Sequence, residues 1–253
     1  MPEWNNKTYV KFNKDRTQPA VDLANRLTGK SVHRVVDLGC KTGNSSFILK
    51  QCFPKAEIVG IDSSPVMIQK ASEKYSDIYF MLGDVRNLTG TYDIIFANAS
   101  LQQIPHHETL IPMLFSRLNR GGELAVQLPN NIESPLYREL DALIKESGWN
   151  PGQTEQEEPR TLSADRYFDI LSGLTSQISI WETVYYHRMP DHRSMIDWIR
   201  GTKLKPYLAG MPMEQQEILM NKIADRVLAL YPRRANGEIL YAFKRLFFIA
   251  EKE

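Results

Sequence analysis

Apolar and polar positions along the first half of the chain follow a repeated strand-then-helix pattern. Short runs rich in β-branched residues, each bounded by glycine or polar residues, predict strands at 32–38, 57–61, 78–82, 92–97 and 123–128. Apolar residues at helical spacing predict helices at 44–52 and 107–118, and Ser64-Pro65 predicts the start of a further helix. We expect Asn44 to cap the first of these helices and Gly121-Gly122 to end the last. Such alternation is typical of βαβ units and a parallel sheet.

The pattern changes after Pro129. Residues 130–175 contain two helical stretches around a polar loop at 150–160, and 176–187 form a long strand-like run. Residues 191–230 are again helical, and 239–250 form a last strand. The sequence therefore predicts a single α/β domain over 1–253, with a doubly wound, mostly parallel, Rossmann-like sheet of seven strands. Helical insertions lie on both sides of the sixth strand.

Composition narrows the range of partners. Hydrophobic residues make up 42% of the 253 positions and charged residues 24%, and the formal net charge is +1. Proteins that bind nucleic acid usually carry a basic excess, which is missing here. No run approaches the roughly 20 apolar residues of a membrane span, and the N-terminal stretch lacks a signal peptide's apolar segment. We expect a cytoplasmic protein with neither a nucleic-acid nor a membrane partner.

A metal site is not expected. Cys40 and Cys52 are the two cysteines, and they form no CxxC pair. His106 and His107 are adjacent, and neighbouring residues on a helix point apart, which makes a poor chelate.

The segment Asp37-Leu38-Gly39-Cys40-Lys41-Thr42-Gly43 leads from the first strand into the first helix after it. Ligands of doubly wound sheets bind at such carboxyl-end turns. Gly39 permits a tight turn and a close backbone approach, and Gly43 can adopt positive φ before the helix. The GxxxG spacing is not the GxGxxG of dinucleotide-binding proteins, and an acidic residue in the turn favours a cationic ligand.

Three more polar residues follow strand ends in order. Asp62 ends the second strand, where a carboxylate can bind both ribose hydroxyls; Asp84 follows the third, where it can accept the adenine amino group; and Asn98 follows the fourth. Taken alone, each of them, like Asp37, is also explained as a turn residue or a helix cap. Four in order at one edge favour a nucleoside site.

These motifs, DLGCxxG, GID, GD and ANAS within residues 35–100, resemble the class I S-adenosylmethionine methyltransferase family. The resemblance implies S-adenosyl-L-methionine as cofactor, bound by Arg16, Asp37, Gly39, Cys40, Gly43, Asp62, Ser63, Met67, Asp84, Val85, Asn98 and Ala99. The family has a third glycine where this chain has Lys41. That lysine either points outward or crowds the methionine end of the cofactor.

A narrower resemblance, to trans-aconitate 2-methyltransferases, extends over nearly the whole chain. It rests on blocks at 9–12, 16–20, 101–106, 125–130, 184–189, 198–208, 231–232 and 245–247. It implies methyl-ester formation on a carboxylate of a small polycarboxylic acid such as trans-aconitate, with substrate contacts at Tyr9, Gln102, Gln103, His106, Tyr186, His187, Arg200, Thr202 and Tyr207. Gln103 replaces a tryptophan that packs near the methyl-transfer site in the family.

The resemblance also implies a cover for the site, with residues 1–30 as a lid region and 130–175 and 188–236 as helical caps. The alternative for the N-terminal region is a helix lying against the sheet edge. We assign no catalytic residue, since a carboxylate nucleophile is already ionised at neutral pH. We expect a monomer or a homodimer.

Three other functions remain open at this point. One is methylation of another acid, such as a carrier-linked malonyl thioester. It stays open because Gln103 and Lys41 differ from the residues of the family pattern. Another is a relative that binds the nucleoside without transferring methyl. A nicotinamide-dependent dehydrogenase is the third, weakened by the missing dinucleotide glycine.

Overall fold

The computed structural model describes residues 13–29, 31–146, 161–201, 204, 208 and 211–253. Its seven strands are β1 Arg34–Leu38, β2 Glu57–Asp62, β3 Tyr79–Leu82, β4 Tyr92–Asn98, β5 Leu118–Pro129, β6 Ile178–Met189 and β7 Ile239–Glu251. They form one sheet in the order β3-β2-β1-β4-β5-β7-β6. The first five strands are parallel, and β7 is antiparallel to β5. The predicted mostly parallel α/β fold is confirmed.

The helices of the described residues are α1 Asn13–Ala24, α2 Asn44–Cys52, α3 Pro65–Lys74, α4 His107–Ser116, α5 Pro135–Glu146, α6 Ala164–Ser172, α7 His192–Arg200 and α8 Met213–Leu230. Gly43, not Asn44, is the N-cap of α2, and its φ of 79° explains the glycine. Ser64 caps α3 through its hydroxyl, which accepts a hydrogen bond from the Met67 backbone N–H. None of the described helices is both long enough and apolar enough to cross a membrane.

The boundary between α4 and β5 differs from the prediction. The helix ends at Ser116, and Gly121 and Gly122 lie inside β5 rather than after a helix. A Cβ on Gly122 would come within 2.9 Å of the Asn119 carbonyl oxygen and 3.0 Å of that of Asp93. Both glycines also exchange backbone hydrogen bonds with Lys252. Gly122 therefore allows a close approach between strands, and Gly121 supplies a positive φ of 73°. A local sequence pattern cannot distinguish these two roles from a helix stop.

The chain divides into two compact units, which we call the sheet unit and the helical unit. The sheet unit comprises the described residues of 14–129, 159–183 and 245–253. Its core contains β1, in which Val35 to Leu38 are all buried, and α6, whose Tyr167 and Leu171 are fully buried. Burial of consecutive strand residues means that both faces of the sheet are covered.

The helical unit comprises the described residues of 130–158 and 184–244, together with Asn13. It has its own hydrophobic core, in which α8 packs against α5 and α7. The predicted insertions over 130–175 and 188–236 are therefore divided: 161–175 belong to the sheet unit, while the described parts of 130–146 and 188–236 belong to the helical unit.

Candidate functional site

The turn after β1 packs against β2 and against the loop after β4. Gly39 has φ of 70°, and a Cβ there would lie 2.3 Å from the Ser100 Cβ. The backbone N–H groups of Gly39 and Cys40 both donate to the Ile61 carbonyl, at 2.7 and 3.0 Å. The Ser100 hydroxyl donates to the Leu38 carbonyl at 2.6 Å. The loops after β1 and β4 therefore pack directly against each other, and only glycine fits between them.

Asp37 lies just inside this turn and is completely buried. Its Oδ2 accepts hydrogen bonds from the Ser45 and Ser46 hydroxyls, each at 2.6 Å, while its Oδ1 has no hydrogen-bond partner among the described residues. Burial raises the pKa of Asp37 to about 6, against the lowering effect of the two hydroxyls and of Lys41. A buried carboxylate oxygen that no group donates to is suited to accept a hydrogen bond from a cationic ligand.

Asp62 ends β2 and is held by backbone groups on both of its oxygens. Its Oδ2 accepts from the Lys41 N–H at 3.0 Å and its Oδ1 from the Ser64 N–H at 2.9 Å. A carboxylate has about four lone-pair directions, so each oxygen retains the capacity for one more donor. Two adjacent hydroxyl groups match that capacity.

Lys41 does not point outward. Its backbone has φ of 53°, and its Nζ donates to the Ala99 carbonyl at 2.8 Å, crossing from the loop after β1 to the loop after β4. Ala99 also has positive φ, 48°, and its N–H donates to the Gln127 carbonyl at 3.0 Å. The lysine ammonium thus donates to a backbone acceptor just after the end of β4.

Asp84 is already paired within the chain. It caps the 3-10 turn Val85–Asn87, and its carboxylate accepts from the Arg86 backbone and guanidinium, with the shortest contact, Oδ2 to Nη2, at 2.6 Å. Hydrogen bonds from the Arg86 side chain hold the pKa of Asp84 below its usual value. An adenine amino group would have to share this carboxylate with Arg86, a neighbour that the sequence reasoning did not use.

The other predicted cofactor residues are distributed around the same strand ends. Cys40 is buried, and burial raises the pKa of its thiol; Ser63 is exposed, Met67 half-buried and Val85 buried. Asn98 places its Oδ1 in the interior without a described donor. Arg16 lies on α1, and its side chain is outside the described residues.

The loop after β4 holds three predicted substrate residues and one that sequence reasoning left unused. Gln102 donates to the Ala99 carbonyl at 3.0 Å, whereas Gln103 and His106 are exposed. His107 is buried: its Nε2 lies 2.9 Å from the Leu101 carbonyl oxygen and its Nδ1 lies 2.5 Å from the Tyr167 hydroxyl. Burial lowers the pKa of His107, so the neutral ring anchors this loop.

The remaining predicted substrate residues belong to the helical unit or lie outside the described residues. Tyr186 is 63% exposed, Arg200 is exposed at the end of α7, and His187 is buried against Trp198 and Phe243 at ring distances of 4.9 and 5.9 Å. The structure therefore places His187 in an aromatic core. Tyr9, Thr202 and Tyr207 lie outside the described residues.

A buried polar pair between β5 and β7 was missed by sequence reasoning. Arg245 is 4% exposed and Gln127 is fully buried, and the Arg245 Nη1 donates to the Gln127 Oε1 at 3.1 Å. The two residues are 118 positions apart, and only the β5–β7 register brings them together. The available signal was a charged residue inside the apolar run of the last strand.

Comparison with known proteins gives this geometry a context. A family model described as a methyltransferase domain matches residues 30–186. The trans-aconitate 2-methyltransferase of Escherichia coli strain K12 is 40% identical over 254 residues, covering 100% of this chain and 99% of the relative.

Solved structures agree on the fold. The YcgJ protein from Bacillus subtilis superposes with a TM-score of 0.61 at 15% identity, covering 95% of this chain and 99% of that one. A Haemonchus contortus phosphoethanolamine N-methyltransferase 2 in complex with S-adenosylhomocysteine has a TM-score of 0.55 at 14% identity, covering 94% of this chain and 53% of that one. With a family model over more than half of its length and a full-length relative at 40% identity, the chain belongs to the class I S-adenosylmethionine-dependent methyltransferases.

Proposed function

We propose that this methyltransferase forms a methyl ester on a carboxylate of a small polycarboxylic acid such as trans-aconitate. The observation that carries the proposal is 40% identity over the full length to an enzyme named for that reaction. The alignment covers 100% of this chain, and therefore both the sheet unit and the helical unit.

The acidic residues at the strand ends fit the cofactor. In our proposal Asp62 accepts the two ribose hydroxyls with its remaining lone pairs, and the Asp37 Oδ1 and the turn at Gly39 receive the methionine end. Asp84 and Val85 line the adenine side. Further contacts come from Arg16, Cys40, Gly43, Ser63, Met67, Asn98 and Ala99.

When bound, S-adenosylmethionine supplies an electrophilic methyl group on a positively charged sulphur. The protein needs to hold the acceptor oxygen roughly 3 Å from the methyl carbon and to exclude water. A carboxylate needs no general base at neutral pH, because its ordinary pKa is about 4. The chain's task at the acceptor side is therefore positioning, for which we propose Gln102, Gln103 and His106 from the sheet unit. We propose Tyr186, His187, Arg200, Thr202, Tyr207 and the N-terminal Tyr9 as further substrate contacts.

Isothermal titration of S-adenosylmethionine against Asp62→Ala tests the cofactor assignment. Removal of two hydrogen bonds to a charged acceptor, each worth about 1.5 kcal/mol or more, should weaken binding by about 100-fold. Asp77→Ala, which removes an exposed carboxylate before β3, is the matched control and should bind as the wild type does. Equal affinity of wild type and Asp62→Ala would refute the assignment.

A substrate screen then decides the acceptor. Wild-type protein, S-adenosylmethionine and either trans-aconitate or a malonyl thioester are incubated, and products are identified by mass spectrometry. A trans-aconitate methyl ester supports the proposal. Methylation of the thioester alone replaces it with the carrier-linked alternative, and cofactor binding without any methylated product indicates a non-catalytic relative.

A further inference from the structure

The buried pair Arg245–Gln127 lies on the same face of the sheet as the cofactor carboxylate Asp37. Partners in register share a face, and so do alternate residues of one strand. Asp37 is in register with Phe96, two residues before Asn98, and Asn98 is in register with Gln127. Gln127 is opposite Phe247, two residues from Arg245. One face of the carboxyl edge therefore presents Asp37, Asn98, Gln127 and Arg245 in order across the strands β1, β4, β5 and β7.

The donor pattern of this pair matches an anion. Gln127 uses its Oε1 to accept from Arg245, and its Nε2 has no hydrogen-bond acceptor among the described residues, although it is completely buried. A buried amide N–H without an acceptor costs free energy, and a ligand oxygen would recover it. A guanidinium beside that amide adds a positive charge and a planar set of donors that suits the two oxygens of a carboxylate.

The position of the pair indicates which carboxylate it would hold. The Arg245 Nη1 lies 3.1 Å from the Gln127 Oε1, and Gln127 on β5 is in register with Asn98 on β4. Adjacent strands are about 4.8 Å apart, so the guanidinium lies about one strand spacing from the end of β4. Asn98 and Ala99, which we propose as cofactor contacts, are at that end, and the Ala99 N–H donates a hydrogen bond to the Gln127 carbonyl. Carboxyl carbons separated by four bonds of about 1.5 Å are about 5 Å apart in an extended chain, so the spacing of the two positions matches a small polycarboxylic acid.

We propose that Arg245 and Gln127 form a receptor for a substrate carboxylate that is held and not methylated. The inference rests on the proposed function and adds to it the residues that select a second carboxylate. It predicts that monocarboxylates are poor substrates, because they cannot reach both positions.

The test measures equilibrium binding of trans-aconitate to the protein saturated with S-adenosylhomocysteine, so that no turnover occurs. Gln127→Glu is the decisive variant: it gives Arg245 a carboxylate from the protein itself, which preserves the buried pair while blocking the receptor. Arg245→Met removes the charge, and Arg245→Lys keeps the charge without the bidentate donors. Arg34→Met, a guanidinium at the amino end of β1, is the matched control.

We expect Gln127→Glu and Arg245→Met to raise the Kd for trans-aconitate at least tenfold, with the Kd for S-adenosylhomocysteine changed less than twofold. Arg245→Lys should be intermediate, and Arg34→Met should equal the wild type. Unchanged binding of trans-aconitate in Gln127→Glu would overturn the receptor alone. Wild-type protein that binds S-adenosylhomocysteine but no di- or tricarboxylate would overturn the proposed function and the receptor with it.

Discussion

Replacement of Asp37 by asparagine should stabilise the cofactor-free protein at neutral pH and weaken cofactor binding. The carboxylate is fully buried, and two serine hydroxyls are its hydrogen-bond donors among the described residues. Burial raises the pKa of Asp37 from 3.8 to about 6, so its ionisation at pH 7 opposes folding. Asparagine keeps the shape and an oxygen that accepts from Ser45 and Ser46, but carries no charge.

The size of the effect follows from the difference between these two pKa values, which corresponds to about 3 kcal/mol. Below about pH 4 the carboxyl group is protonated in both the folded and the unfolded chain, so its ionisation contributes nothing. Between about pH 4 and 6 the unfolded chain loses the proton first, and the stability of the wild type falls as pH rises. The advantage of Asp37→Asn should therefore grow through this range and reach a plateau above it.

Urea unfolding followed by circular dichroism from pH 4 to 8, with and without S-adenosylmethionine, measures both effects. The cofactor should stabilise the variant less than the wild type, because its ammonium group loses the charged acceptor. Asp93→Asn is the control, and its change in the free energy of unfolding relative to the wild type should have the opposite sign. Hydrogen bonds from Asn119 and the His33 and Arg34 backbones hold the pKa of Asp93 below its usual value, against the effect of burial. A stability difference between wild type and Asp37→Asn that is constant from pH 4 to 8, or that favours the wild type at pH 8, would refute the reasoning.

Two further variants test individual contacts. Lys41→Gly should bind S-adenosylmethionine severalfold more tightly, because it removes a positive charge near Asp37 and one of the two donors, Lys41 and Gln102, to the Ala99 carbonyl. Titration calorimetry measures this, with Lys50→Met, which loses a lysine–carbonyl hydrogen bond to Ala56, as the control. Weaker binding in Lys41→Gly would contradict the prediction. Tyr167→Phe should lower the free energy of unfolding by about 1–3 kcal/mol, because the His107 Nδ1 loses its partner in the core; urea titration at pH 7 measures this, and an unchanged midpoint would show that the bond contributes nothing.

Sequence periodicity predicted the elements well wherever the pattern is local. The strands β1 and β2 are short, mostly apolar runs covered on both faces, and Ser64-Pro65 is a strong helix start, so few alternatives exist. The assignment failed at Gly121-Gly122, because the Tyr92 and Asp93 carbonyls of another strand approach Gly122 closely, while Gly121 has a φ of 73° within β5. That contact is tertiary and leaves no local signal.

For the site, too, residues in local motifs could be predicted, whereas residues brought together by tertiary contacts could not. Asp37 and Asp62 could be predicted as cofactor contacts because each lies at the carboxyl end of its strand and belongs to a family motif, and their roles stay predictions. The Arg245–Gln127 pair could not be found, since the register of an antiparallel strand 118 residues away sets it. His187 was selected from a resemblance block, and its burial among aromatic rings depends on helices whose packing the block does not encode.

The interlock of Gly39 with Ser100 has a consequence for how the two ligands communicate. One loop carries the proposed methionine-end contacts and the other the proposed acceptor contacts, and the Ser100–Leu38 hydrogen bond leaves little room to shift one without the other. When the cofactor fixes the position of the loop after β1, or the acceptor fixes that of the loop after β4, the other loop is held in position as well. Since such coupling is reciprocal, donor and acceptor should each bind more tightly in the presence of the other, and the ternary complex should form cooperatively.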